Sequence, residues 1–173
     1  MAKIYRDDYG TPHIMAKTSF DAAKAIAYVH SEDDFRTLQL WFLAIKFKSG
    51  HFDDWDGPYL DFLSFFFDIQ GKTLDLIPTI SNEYKSLADS YCSGINQYAK
   101  EHEEKVLDSS IFPINSVDLL QVQHLMEVIG IQIDKPYSYL NIKQSQKLPR
   151  KEGSNAIAIG ANKSASKSSL IAV

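Results

Sequence analysis

A single cysteine, Cys92, is the whole thiol inventory of this 173-residue chain, which excludes an intramolecular disulfide and any multi-cysteine metal site. Its neighbours Tyr91 and Ile95 predict a half-buried helical thiol rather than a reactive one. Basic residues are not in excess either. Lys and Arg number 18 against 22 Asp and Glu, a net charge of −4, which argues against nucleic acid as a partner. No window reaches the roughly 18 uninterrupted apolar residues that a membrane helix needs. Met1-Ala2-Lys3 leads straight into a strand-like segment without an apolar leader, so the expectation is a soluble chain with no membrane partner. A Gly-x-Ser-x-Gly elbow, a phosphate-binding glycine loop and a paired-His zinc motif are all missing, as are internal repeats and low-complexity runs. The chain is 45% hydrophobic, enough to bury one core.

What is present is mostly helical periodicity. Ile4 to Ile14 reads as a short strand, a glycine turn at Gly10 and a second short strand. Thr18 or Ser19 caps a long helix through Phe20, Ala23, Ala27, Phe35, Leu38, Trp41, Phe42 and Ile45, bent near His30. Gly50 to Pro58 is a turn-rich loop. Tyr59 to Phe67 is read as a helix whose Leu60, Leu63 and Phe67 share the buried face while Asp61 and Ser64 lie off it. Pro78 and Ser81 announce another helix, with Tyr84, Leu87, Ala88, Tyr91, Ile95 and Tyr98 on one stripe and Lys100 to Lys105 as a solvated end. Gly94 in its middle carries a helix penalty of about 1 kcal/mol relative to alanine, so close approach of another backbone is its expected reason. Phe112-Pro113 to Asn115 breaks the chain, and Ser116 caps a fourth helix through Val117, Leu120, His124, Val128 and Ile131.

Beyond Pro136 the pattern is lost, and Tyr137 to Lys151 reads as a linker. From Asn155 an alternating run to Gly160, a turn, and Leu170 to Val173 predict a β-hairpin that looks like the first piece of a larger sheet. The organisation is therefore a helical region over 1–135, a linker over 136–153 and the start of a sheet over 154–173. The overall class is mainly α, with short N-terminal strands and a C-terminal hairpin.

The Gly153-Ser154 junction at the head of that hairpin admits two readings. A Gly-Ser pair before a strand is an ordinary turn. It is also where a self-cleaving precursor would expose a serine as a new N-terminus. An α-amine with an unperturbed pKa of about 7.7 to 8.0 can take the hydroxyl proton near neutral pH, making such a serine nucleophile and base at once.

Several landmarks bear on that choice. Ile4-Tyr5-Arg6-Asp7-Asp8-Tyr9-Gly10-Thr11-Pro12-His13-Ile14 is followed by Asp21-Ala22-Ala23 and Ala27-Tyr28-Val29-His30-Ser31-Glu32-Asp33-Asp34-Phe35. Tyr91-Cys92-Ser93-Gly94-Ile95-Asn96-Gln97-Tyr98 comes next, and then Gly153-Ser154-Asn155. In order and spacing this resembles the penicillin acylase family, which includes penicillin amidases and acyl-homoserine lactone acylases. The match covers the small chain, its linker and the first strand of the large chain.

The resemblance implies the N-terminal nucleophile hydrolase fold, an αββα sandwich in the complete protein. It implies self-cleavage between Gly153 and Ser154, with Ser154 as the catalytic nucleophile and Asn155 placing the first strand. It also implies a heterodimer with the remainder of the large chain, which would carry the oxyanion hole, and hydrolysis of a linear N-acyl amide. Met126, Gly130 and Ile131 are the candidates for acyl contact, although an aliphatic stripe at helical spacing also reads as core. No cofactor is assigned to residues present here; a calcium ion of the complete protein would be held mostly by the absent part. The resemblance implies a periplasmic location, whereas the chain displays no signal segment and is equally compatible with the cytoplasm.

The remaining polar clusters read as structural. His30-Ser31-Glu32-Asp33-Asp34 is expected to cap amides at a helix bend. His51, Asp53, Asp54 and Asp56 lack the regular spacing of an EF-hand and read as a solvated acidic loop. Arg6 is expected to pair with Asp7 or Asp8, and His13 to find a backbone partner in a turn. From a different class, a non-enzymatic helical module that binds a partner is also compatible with these residues.

Overall fold

The computed structural model describes residues 2–53, 56–130, 157–159 and 170–172. The chain divides into two compact units, Met1–Ile133 and Asp134–Val173. The first opens with an antiparallel hairpin of β1 (Lys3–Arg6) and β2 (Pro12–Met15), in which Tyr5 faces His13 and their rings stack at 4.8 Å. The turn is organised by Asp7, whose carboxylate accepts the Tyr9 and Thr11 amides at 2.9 Å each. Gly10 there has φ +81°, a conformation that a side chain would strain.

Helix α1 (Ser19–Ala44) starts at Thr18, whose hydroxyl accepts the Asp21 amide at 3.0 Å. The expected bend is displaced: His30 is helical, and the break falls at Asp34 (φ −151°, ψ 60°). Asp34 leaves the helix and caps the next turn, its carboxylate accepting the Thr37 amide at 3.3 Å. At the C-terminal end the Lys48 amide bonds the Leu43 carbonyl (2.9 Å) and the Phe47 amide bonds that of Ala44 (3.1 Å). This is a Schellman stop with Phe47, φ +57°, in the left-handed position that glycine usually fills.

A single helical turn at Ser49–His51 leads to α2 (Gly57–Phe66). Here one expectation is overturned. Leu63 is buried as its spacing predicts, but Ser64 is buried too, and Asp61 turns inward onto the Ser49 and Gly50 amides at 2.9 and 3.0 Å. Two unpaired amides in the preceding turn outweigh the polarity of Asp61, because leaving them bare inside would cost about 1–3 kcal/mol each. A further helix, α3 (Ile69–Leu76), is one that the sequence pattern does not signal; its cap is Asp68 in a left-handed conformation (φ 49°, ψ 49°), accepting the Gly71 amide at 3.3 Å.

Helix α4 (Asn82–Glu101) begins at Ser81 as its spacing predicts, the hydroxyl accepting the Tyr84 amide at 3.1 Å. It lies against α1 at Gly94, where an added Cβ would collide with the Lys24 carbonyl and come within 2.9 Å of the Ala27 methyl. Helix α5 (Ser116–Gly130) is capped one residue earlier than expected. Asn115 Oδ1 accepts the Val117 and Asp118 amides (2.8 and 3.2 Å), and Asp118 Oδ2 accepts the Asn115 amide in return (3.0 Å).

The five helices enclose one core, to which Ala27, Phe42 and Leu43 of α1, Leu63 of α2, Ile69 of α3, Ile95 of α4 and Leu125 of α5 all contribute. In the second unit, β3 (Ile157–Ile159) and β4 (Leu170–Ala172) pair antiparallel with Ile157 opposite Ala172. The chain is thus mostly helical with short antiparallel strands, as its pattern predicts.

Candidate functional site

Gly153, Ser154 and Asn155, the junction that would hold the nucleophile, lie outside the described residues, as do Ile131, Asp54 and the 136–153 linker. Of the acyl-contact candidates, Met126 is 49% exposed on α5, and a Cβ on Gly130 would meet nothing within 4 Å. Both lie away from the face that Val122 and Leu125 bury. Neither residue is core.

The landmark residues have structural work that explains their types. His30 Nδ1 and the Tyr91 hydroxyl are 2.9 Å apart, joining α1 to α4. Gly94 lets the two helices meet. The Asn96 amide pairs with both backbone groups of Ile114, at 2.8 and 2.9 Å, and so holds the segment that feeds α5. In the His30–Asp34 block, the Ser31 hydroxyl donates to the Ala27 carbonyl (2.8 Å) while Glu32 and Asp33 both receive the Arg6 guanidinium, at 3.0 and 2.7 Å.

Arg6 therefore clamps the N-terminal hairpin to α1 and does not pair with Asp7 or Asp8. Asp7 instead meets His13 Nε2 at 3.1 Å, and that contact, with the turn amides, holds its carboxyl below the usual range. His13 has this side-chain partner rather than a backbone one. In the acidic loop, Asp53 accepts the Asp56 amide at 3.4 Å. No group of three metal-ligating side chains occurs among the described residues.

Several ties escape pattern reading because they join distant segments. Buried Gln39 donates to the Lys105 carbonyl (3.0 Å) and accepts the Leu107 amide (2.7 Å). Lys46 reaches Asp118 at 2.8 Å, locking the start of α5 to the end of α1. Lys48 bonds Asp108 and the Ser110 hydroxyl at 3.0 and 2.6 Å. Tyr28 donates to Glu101 at 2.7 Å, and that bond is the leading cause that pushes the phenol up to about 12.

Cys92 is 1% exposed, more deeply buried than its neighbours imply, and burial pushes its thiol up to about 12, so it is neither nucleophile nor ligand at neutral pH. Two hydroxyl–imidazole pairs occur among the described residues, Tyr91 with His30 and Thr73 with His124 Nδ1 at 3.1 Å, and each joins two helices, α1 to α4 and α3 to α5.

No curated protein matches the chain. Among solved structures, a thermostable penicillin G acylase from Alcaligenes faecalis matches with a TM-score of 0.57 at 13% identity, over 82% of this chain and 84% of that one. The likeness covers the fold. The family model described as penicillin amidase matches residues 1–173, which takes in the hairpin, the α1 and α4 landmarks and the Gly153-Ser154 junction together. The chain belongs to the penicillin amidase family of acylase-type amidohydrolases.

Proposed function

We propose that this chain is the N-terminal part of an autoprocessing acylase in which Ser154 is the nucleophile. The observation that carries the reading is the family match running unbroken through Gly153-Ser154 into the strand sequence beyond it. In the precursor, the Ser154 hydroxyl adds to the Gly153 carbonyl, the Gly153–Ser154 C–N bond breaks, and an ester forms. Water hydrolyses that ester, leaving a Gly153 carboxylate and a free Ser154 α-amine. In the mature enzyme the amine, acting through a water, takes the hydroxyl proton as Ser154 Oγ attacks the amide carbonyl of the substrate. The leaving amine departs with a proton, and water releases the acyl group as a carboxylate.

The helical unit supports this by its placement of α5. Lys46, Asn96 and the Asn115–Asp118 capping pair fix the start of that helix, and its last turn presents Met126 and Gly130 outward. These two, with Ile131, are our acyl-contact residues, and an apolar contact there favours fatty or aromatic acyl groups. The oxyanion hole belongs to the large chain, with which the small chain forms a heterodimer. Substrates are N-acyl amides such as a penicillin or an acyl-homoserine lactone, and the mature enzyme works in the periplasm.

The test is the intact mass of the complete gene product with and without Ser154→Ala. Two fragments meeting at Gly153-Ser154 in the wild type and one uncut chain in the variant support the reading. An uncut wild type that is folded and lacks amidase activity overturns it, in favour of a non-enzymatic helical module.

A further inference from the structure

The segment between α4 and α5 holds only two short 3-10 turns, Glu103–Lys105 and Ser109–Ile111, yet three separate side chains fix it. Gln39 holds the backbone at Lys105 and Leu107, Lys48 holds Asp108 and Ser110, and Asn96 holds Ile114. Between these anchor points the segment folds over the end of α4 and leaves a groove of about 820 Å³. That size lies within the range of roughly 300–1,000 Å³ typical of small-molecule sites. Its apolar lining is made by Ala99, Val106, Leu107 and Phe112, with Asn96 and Ser109 adding uncharged polar groups. Its rim carries one cation and one anion, Lys100 and Glu103, both exposed. Although Lys100 and Glu103 are close in sequence, they form no ion pair with each other, and neither side chain has a hydrogen bond or ion pair among the described residues.

A cleft with a largely apolar lining and opposite unpaired charges at its edge complements a particular kind of molecule, one with adjacent ammonium and carboxylate groups and a large apolar body. We propose that this groove binds a zwitterionic α-amino compound with an aromatic side chain, the carboxylate on Lys100, the ammonium on Glu103 and the ring on the Leu107–Phe112 lining. An N-acyl compound without the ammonium satisfies only half of the rim. The site is made entirely by the helical unit, so it does not depend on Ser154 or on any acylase activity.

The experiment is a ¹⁵N-HSQC titration of the full chain with phenylalanine, N-acetylphenylalanine and phenylalanine amide. Saturable shifts at the Ala99, Val106, Leu107 and Phe112 amides are expected with phenylalanine at millimolar concentration. Each analogue should bind about two- to fivefold more weakly, as for the loss of one exposed charge contact. Lys100→Gln should weaken phenylalanine and N-acetylphenylalanine and leave the amide unchanged. Glu103→Gln should weaken phenylalanine and the amide and leave the N-acetyl compound unchanged. Both side chains are exposed, so neither change threatens the fold. Absent or unsaturable shifts, shifts centred elsewhere, or equal affinity for all three compounds in all three proteins would overturn the assignment.

Discussion

The side-chain amide of Asn96 bonds the backbone of Ile114 as a second strand would: Nδ2 donates to the Ile114 carbonyl at 2.8 Å and Oδ1 accepts the Ile114 amide at 2.9 Å. Ile114 is 3% exposed, so no solvent replaces either bond. Asn96→Ala should therefore destabilise the helical unit by about 3 kcal/mol, since two backbone groups lose their partners together. Asn96→Asp keeps the acceptor but sets a carboxylate against the Ile114 carbonyl, and should be no better. Urea unfolding monitored by circular dichroism checks this; midpoints unchanged from the wild type would refute it.

Gly94 and Gly130 make opposite predictions under the same substitution. At Gly94 a methyl group runs into the Lys24 carbonyl of α1. Overpacking of that kind typically costs about 1–3 kcal/mol, more than the roughly 1 kcal/mol gained in helix propensity. Gly94→Ala should lower the melting temperature, whereas Gly130→Ala, with open space around it, should leave it unchanged or raise it slightly. If the proposed acyl contact at Gly130 is right, that same variant shifts acyl-chain preference in the complete enzyme without lowering stability.

Cys92 gives a prediction in both reactivity and pH. Its thiol sits near 12 in the folded chain, against about 8.5 when unfolded. Folding therefore favours the neutral thiol; this contribution is complete below about pH 8.5 and fades as the pH rises toward 12. A thiol reagent at neutral pH should label Cys92 only in denaturant. Rapid labelling of the native chain would show that α4 opens or that the burial is wrong.

Asp108 runs the other way. The Ser110 hydroxyl first, then the Ser110 amide and Lys48, hold its carboxyl at about 2, below the unfolded value of about 3.9. The stabilisation is present above about pH 4 and is lost as the pH falls toward 2. Asp108→Asn should lower the melting temperature near neutral pH, and the gap from the wild type should close in acid. A gap that persists near pH 2 would mean the carboxylate charge is not its source.

How much of this is legible in the sequence depends on the range of each interaction. The hairpin turn, the Thr18 and Ser81 caps and a close backbone approach at Gly94 can be read because their signals sit within a few residues, or because glycine in a helix demands a neighbour; that the neighbour is α1 cannot. The break at Asp34 is hidden: aspartate there interrupts neither composition nor period, and only its bond to Thr37 marks a new start. The inward turn of Asp61, the Arg6 clamp and the Gln39 tie all depend on partners far along the chain, which no local pattern encodes. Helix α3 escapes because its cap needs a left-handed Asp68, a conformation aspartate rarely announces. The proposed nucleophile, Ser154, stands on family resemblance and on no described geometry.

Phe47 closes α1 in a backbone conformation that glycine would hold without strain, at a penalty of about 1–3 kcal/mol for a bulky side chain. Its ring rests edge-on against Phe65, itself 74% exposed, with Phe62 and Phe66 stacked alongside. An aromatic held in such a place does little for the interior. Position 47 is thus one where an engineer seeking robustness would write glycine or asparagine, and where that choice would strip one ring from an outward-facing phenylalanine cluster. Here the thermally sturdiest sequence and the natural one part company.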